Sequence, residues 1–388
     1  MRILSSFEAR ALLGECLRSK FIAESRKGTK LAPRKEDRPQ DSEPARWRQF
    51  PRGTSVADSR WGAEETILLV KRAQQGDHRP RFWQMSKLTS KKRKLSVTIV
   101  GPGRVGKALA FALRSLGYPI VSVVGRQPAS ARKAVSGFNK SGTPAKVFGL
   151  EQLAQLPVTD LILITTPDDA IAEVAEQLAV VEFERTRGGT VLHTSGALAS
   201  DVLGPLARAG FHTGSMHPLV SVSEPVAGAR ALRGAFYCLE GDKIAVQVAR
   251  LLVADLKGKA FSIKPENKAL YHAAAVMASP HLVALFDLAT ELLASCGVSK
   301  KNARQILLPL VESTTDNLIA TTPERALTGT FARGDVATVR RHLAALSGKD
   351  FAEALEVYKR LGLHSVQLAQ KNGLAPELLE QIKKLLIR

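Results

Sequence analysis

The sequence predicts an open, doubly wound α/β sheet followed by an all-α region. Three observations carry that prediction. Gly101, Gly103 and Gly106 form a G-x-G-x-x-G between an apolar, β-branched run and an alanine- and leucine-rich helical pattern. Strand and helix patterns then alternate as far as about residue 265, the mark of a parallel sheet with helices on both faces. Beyond that point only long helical periodicities remain.

The elements follow in order. Residues 96–100 read as the first strand and 105–115 as its helix. Strand 120–124, helix 129–138 and a short strand 146–148 come next. The strongly apolar strand 160–165 leads through Thr166-Pro167 into helix 170–178. Strand 190–193 precedes a helix at 200–209, and 211–216 runs into His217-Pro218. Strands 235–239 and 259–263, with helix 244–256 between them, complete the sheet. The helical region is read as 267–295, 300–320, 336–346 and 350–369. Asp335 and Asp350 suit N-caps, and Gly297 and Gly362 suit helix ends. Pro280 should kink or break the first long helix.

Composition narrows the function classes. The chain has 388 residues and a net charge of +20, of which residues 1–94 hold +12. That segment is rich in Arg and Pro and contains all three tryptophans. Short helical patterns stand at 7–21 and 64–74, and 27–59 reads as disordered. Met85 and the basic run after it read as the natural start of the protein. The alternatives are a nucleic-acid-binding arm or a transit peptide. Nucleic-acid binding is expected only if the basic segment is a real part of the protein. Cys16, Cys238 and Cys296 are far apart and offer no disulfide framework or zinc spacing, which suits a reducing cytoplasm. No apolar run reaches the roughly 18 residues that suggest a membrane span. The histidines and acids show no metal-ligand pattern.

The glycine turn points to a dinucleotide. Gly101 permits the tight turn, Gly103 lets backbone approach a pyrophosphate, and Gly106 lets helix and strand pack closely. Arg104 and Val105 begin the helix, whose free N–H groups favour phosphate. An NAD site would place an acid at the end of the second strand. Arg126 stands there instead, and a guanidinium suits a 2′-phosphate, so NADP is expected over NAD. Thr166 and Pro167 lie at the carboxyl edge of the sheet, where the cofactor binds.

Candidate catalytic residues fall at the same edge and on the first long helix. Ser195 either orients a substrate oxygen or caps a short turn. His193 is either functional or a satisfied core histidine. His217 is either a proton donor or part of a structural turn. Lys268 and His272 are four residues apart and share one face of an otherwise apolar helix. Lys268 would orient substrate oxygen, and His272 would handle the proton.

The motifs His193-Thr-Ser-Gly-Ala197, Gly214-Ser-Met-His-Pro-Leu219, Tyr271-His-Ala-Ala-Ala275 and Ala332-Arg-Gly-Asp335 follow the glycine turn in order. The series resembles the bacterial Rossmann-like and DUF2520 domain-containing proteins, over residues 95–370. The resemblance implies an oxidoreductase of the 6-phosphogluconate dehydrogenase-like superfamily and a homodimer formed by the helical domain. Pro280 stands where that pattern suggests Asn, and Thr330 where it suggests Pro. The domains are therefore expected at 1–94 (basic extension), 95–264 (cofactor domain) and 265–388 (substrate and dimerisation domain). The expected reaction is hydride transfer between NADP(H) and a small carbonyl, imine or hydroxy acid. A prephenate- or arogenate-dehydrogenase-like enzyme and a non-catalytic dinucleotide sensor are the alternatives.

Overall fold

Four β-branched or aliphatic runs, each buried on both faces, make the centre of the sheet: β1 (Val97–Val100), β2 (Ile120–Gly125), β4 (Leu161–Ile164) and β5 (Thr190–His193). Such runs pair in parallel because helices cover both sides. The computed structural model describes residues 93–135, 143–181 and 188–388. The expectations for 7–21, 27–59, 64–74 and Met85 lie outside the described residues.

The sheet is completed by β3 (Lys146–Gly149), β6 (His212–Pro218), β7 (Phe236–Gly241) and β8 (Lys259–Phe261), in the order β3-β2-β1-β4-β5-β6-β7-β8. All neighbours are parallel except β6 and β7. That antiparallel pair corrects the purely parallel expectation: β7 returns beside β6 in the opposite direction. Register places the site. Val100 lies opposite Val124 and Ile164, Ile164 opposite His193, and His193 opposite Ser215. Hence Gly101, Gly125, Thr165 and Thr194 all emerge at one edge, and His217 stands two residues further along β6.

Side chains of alternating strand positions enter two cores. On one face Ile99, Leu161 and Leu163 pack with Leu109 and Leu113 of α1 (Arg104–Ser115) and Leu252 and Val253 of α6 (Lys243–Asp255). On the other, Val100, Ile162 and Ile164 pack with Ile171, Val174 and Leu178 of α3 (Asp168–Ala179). The helix expected at 129–138 is α2 (Pro128–Val135), and that expected at 200–209 is a 3-10 turn (Ser200–Leu203) followed by α4 (Gly204–Arg208). A helix missed in the sequence, α5 (Pro225–Ala231), packs on α1. Its Glu224 cap accepts from Ala227 N and Pro225 opens its first turn.

The first long helix is two helices, α7 (Lys268–Ala278) and α8 (Pro280–Ser295). The break falls at Ser279, at φ −128° and ψ −73°. Proline is tolerated at the start of α8 because that N–H has no helical partner. By length and hydropathy Pro265–Ser295 could cross a membrane, which corrects the reading that no run was long enough. Then come α9 (Lys300–Ala320), α10 (Pro323–Ala326), α11 (Gly329–Ala332), α12 (Val336–Ala345), α13 (Ala352–Lys371) and α14 (Pro376–Ile387).

Asp335 caps α12 as expected, accepting from Thr338 N at 3.0 Å. Asp350 does not cap α13; it lies in a 3-10 turn and the cap is Phe351. Gly297, at φ +87°, does end α8. Gly362 ends nothing. It is buried inside α13, where a Cβ would press on Phe331 and Leu386. That close approach lets α13 join Val339, Ile382 and Leu386 in a third core. By contrast α7, α8 and α9 bury one residue each, Lys268, Thr290 and Ala303.

Candidate active site

The glycine turn has the form that its sequence predicts. Gly101 takes φ +87°, and its N–H donates to Val124 O at 2.8 Å. A Cβ on Gly101 would stand 2.7 Å from Thr166 Cγ2, and one on Gly106 would strike Thr165 Oγ1 and Gly101 O. Both glycines therefore allow close packing at the edge. Gly103 differs, with nothing within 4 Å of where its Cβ would be. The first helical bond of α1 runs from Lys107 N to Gly103 O, and no side chain caps the helix. The N–H groups of Arg104, Val105 and Gly106 thus point out of the ladder, at the positive end of the helix dipole. Thr166 Oγ1 is buried there without a hydrogen-bond partner among the described residues. Open space, free donors and an orphaned hydroxyl fit a dinucleotide's pyrophosphate. Pro167 is the cap residue of α3 and is exposed. Arg126 is exposed just past the end of β2.

The second half of the site joins the ends of β5 and β6 to α7. Lys268, Tyr271 and His272 lie at i, i+3 and i+4, so one face of α7 carries all three. Lys268 is only 1% exposed. Its Nζ donates to Ser195 O at 3.0 Å and to Ser215 Oγ at 2.8 Å. Burial pushes its pKa down, and Cys238, Glu240 and Asp168 counter that. Lys268 thus fastens α7 to the turn after β5 and to β6, with its ammonium already engaged by the protein.

Ser195 is equally occupied. Its Oγ accepts from Ala197 N at 3.1 Å and Leu198 N at 2.9 Å, the turn-capping geometry. His193 Nδ1 accepts from Ser195 N, and its Nε2 lies 3.2 Å from Ala199 O. Burial above all, then the Lys268 charge, lowers the His193 pKa to about 3. It is a neutral, satisfied histidine.

His217 and His272 come together over Gly196. Their rings meet edge to face with centroids 5.8 Å apart. A Cβ on Gly196 would lie 2.5 Å from His272 Cδ2 and 2.9 Å from His217 Nε2. His217 Nδ1 is 2.7 Å from the Tyr271 hydroxyl. Burial, then Lys268 and His272, lowers the His217 pKa to about 4. Burial pushes the Tyr271 phenol well above its usual value, and Cys238 adds to this. Both groups are therefore neutral near pH 7. Tyr271 is the residue that sequence reasoning passed over. Its signal was a hydroxyl-bearing aromatic beside His272 on an apolar helix. Among the described residues no group of His, Cys, Asp and Glu could hold a metal ion.

An open α/β sheet with a glycine turn at its carboxyl edge, closed over by a helical region bearing polar residues, defines a two-part Rossmann-like protein. Two family models match this chain: a Rossmann-like domain over residues 84–218, and the domain of unknown function DUF2520 over 235–365. The chain thus carries a Rossmann-like domain followed by a DUF2520 domain. It is similar to a solved Thermotoga maritima protein at 21% identity and TM-score 0.51, covering 75% of this chain and 100% of that one. It is also similar to a solved "putative NADP oxidoreductase" of Bacteroides fragilis at 21% identity and TM-score 0.56, covering 71% and 98%. At such identities the likeness shows the fold. No curated protein matches the chain in sequence.

Proposed function

We propose that this protein is an NADP-dependent oxidoreductase that moves hydride between NADP(H) and a small carbonyl, imine or hydroxy-acid substrate. The observation that carries this reading is the arrangement of the sheet edge. A glycine turn with free N–H groups lies on the same carboxyl edge as a cluster of two imidazoles and a phenol. The description of the Bacteroides fragilis protein agrees with it.

When bound, the nicotinamide would supply or accept the hydride. The chain's own residues do the rest. The turn at Gly101, Gly103 and Gly106 and the first N–H groups of α1 bind the pyrophosphate. Arg126 takes the 2′-phosphate that distinguishes NADP. His217 and His272 face the reacting oxygen or nitrogen: neutral His217 hydrogen-bonds it, and His272 handles its proton. Lys268 holds Ser195 and α7 in place, so both act by positioning, in contrast to the sequence expectation that they orient substrate oxygen directly.

The test is fluorescence titration of the full chain with NADPH and NADH, then a metabolite screen for NADPH oxidation. NADPH should bind at least about tenfold tighter than NADH, and Arg126→Ala should remove most of that difference, as expected for a lost charge-assisted pair. Failure to bind either dinucleotide would overturn the reading.

We also propose a homodimer built through α7, α8 and α9. Leu270, Met277, Val283, Leu310 and Ile319 are 74%, 70%, 69%, 63% and 79% exposed. An apolar groove of about 240 Å³ between α8 and α13 continues this surface at Leu285. A second copy of the chain would remove these side chains from water.

A further inference from the structure

We propose that Tyr271 is a positioning residue that fixes the tautomer of His217, so that Nε2–H is the proton this imidazole presents at the sheet edge. The inference rests on the oxidoreductase reading only for what the proton is used for; the tautomer follows from the contacts alone. The Tyr271 hydroxyl has one hydrogen to donate, and a neutral imidazole has one donor and one acceptor nitrogen. The bond between them is 2.7 Å long. A phenol O–H is a far stronger acid than the N–H of a neutral imidazole, and the imidazole nitrogen is a far stronger base than the phenol oxygen. The favoured bond is therefore phenol O–H to Nδ1. Nδ1 then accepts, and the hydrogen of the neutral ring sits on Nε2, which has no other partner among the described residues.

The surroundings keep the ring neutral and its orientation fixed. Lys268 and His272 face it from α7, His193 from β5, and Cys238 lies opposite it on β7. The Lys268 ammonium opposes a second proton on the ring, and no carboxylate bonds to it among the described residues. The Tyr271 ring is itself held edge-on by Phe261, with centroids 5.8 Å apart. Nε2 is turned toward Gly196, just past the carboxyl end of β5. A neutral imidazole in this setting acts as a hydrogen-bond donor to a substrate oxygen or nitrogen, without first being charged. Tyr271 takes no part in any bond made or broken.

The experiment is long-range proton–nitrogen NMR on the full chain with nitrogen-15-labelled histidine, the His217 signals being assigned by their loss in His217→Gln. At pH 7 His217 should show a single neutral pattern with the hydrogen on Nε2, persisting down to about pH 5. In Tyr271→Phe it should become a mixture of the two neutral tautomers. A hydrogen on Nδ1, or an imidazolium, in the wild-type chain at pH 7 would overturn the proposal, whether or not the variant folds. An unchanged pattern in a folded Tyr271→Phe would do the same. NADPH titration of the same samples separates the two ideas: no binding rejects the oxidoreductase reading and leaves the tautomer result standing.

Discussion

Single residues at the edge of the sheet decide what this site can do. Gly196 leaves no room for a methyl group between it and the imidazoles of His272 and His217. Gly196→Ala should push both rings aside. Turnover is expected to fall about 100-fold, the scale of a displacement near 1 Å, with NADPH affinity nearly unchanged. Steady-state kinetics beside cofactor titration checks this. The histidines also set a pH dependence. His193 and His217 titrate at about 3 and about 4 when folded, below the ordinary value of 6.5. As the pH falls below 6.5, the unfolded chain binds protons first. The stability these groups contribute is therefore complete above pH 6.5 and is lost progressively down to about pH 4 and then 3. Thermal unfolding midpoints should drop across that window, and His217→Gln should flatten the drop. The sequence made Lys268, His217 and His272 visible, because polar groups stand out on apolar elements. It could not show that Lys268 is spent on Ser195 O and Ser215 Oγ. Those partners lie 73 and 53 residues away, and only the fold brings them together.

At the scale of elements, local rules were legible where the chain's own chemistry decides the outcome. The glycine turn, the cap at Asp335 and the break before Pro280 were of this kind. They failed where distant packing decides. Gly362 looks like a helix end in sequence, yet α13 runs through it because Phe331 and Leu386 require a missing side chain there. The direction of β7 was hidden for a similar reason, since an apolar strand carries the same pattern either way. Asp242 shows how one cap can serve two elements. It accepts from Ile244 N and Ala245 N at the start of α6 and from Thr213 N on β6. Asp242→Ala should lower stability by about 2 kcal/mol, a lost cap plus an unpaired strand N–H. NADPH affinity should not change, because Thr213 begins β6 at the edge opposite the site. Denaturant unfolding with a parallel titration measures both.

At the scale of the whole molecule, the exposed apolar sides of α7, α8 and α9 make association the main prediction. Light scattering on the full chain should give twice the monomer mass, and Leu310→Asp on α9 should give the monomer. A monomeric wild type at micromolar concentration would end that proposal. The matched DUF2520 span begins at residue 235, so it includes β7 and β8. Those strands complete the sheet begun by the Rossmann-like span, with β7 paired to β6 from Gly214–Gly241 to Pro218–Tyr237. The seam between the two inherited pieces therefore runs along a ladder of backbone hydrogen bonds. Lys268 stitches it a second time. A chimera that swaps everything after residue 234 for a cousin's sequence would have to rebuild that ladder and recover both oxygen acceptors for its lysine. Grafting should succeed at the loop after β8, where the chain leaves the sheet, provided the donor brings a lysine that reaches Ser195 and Ser215.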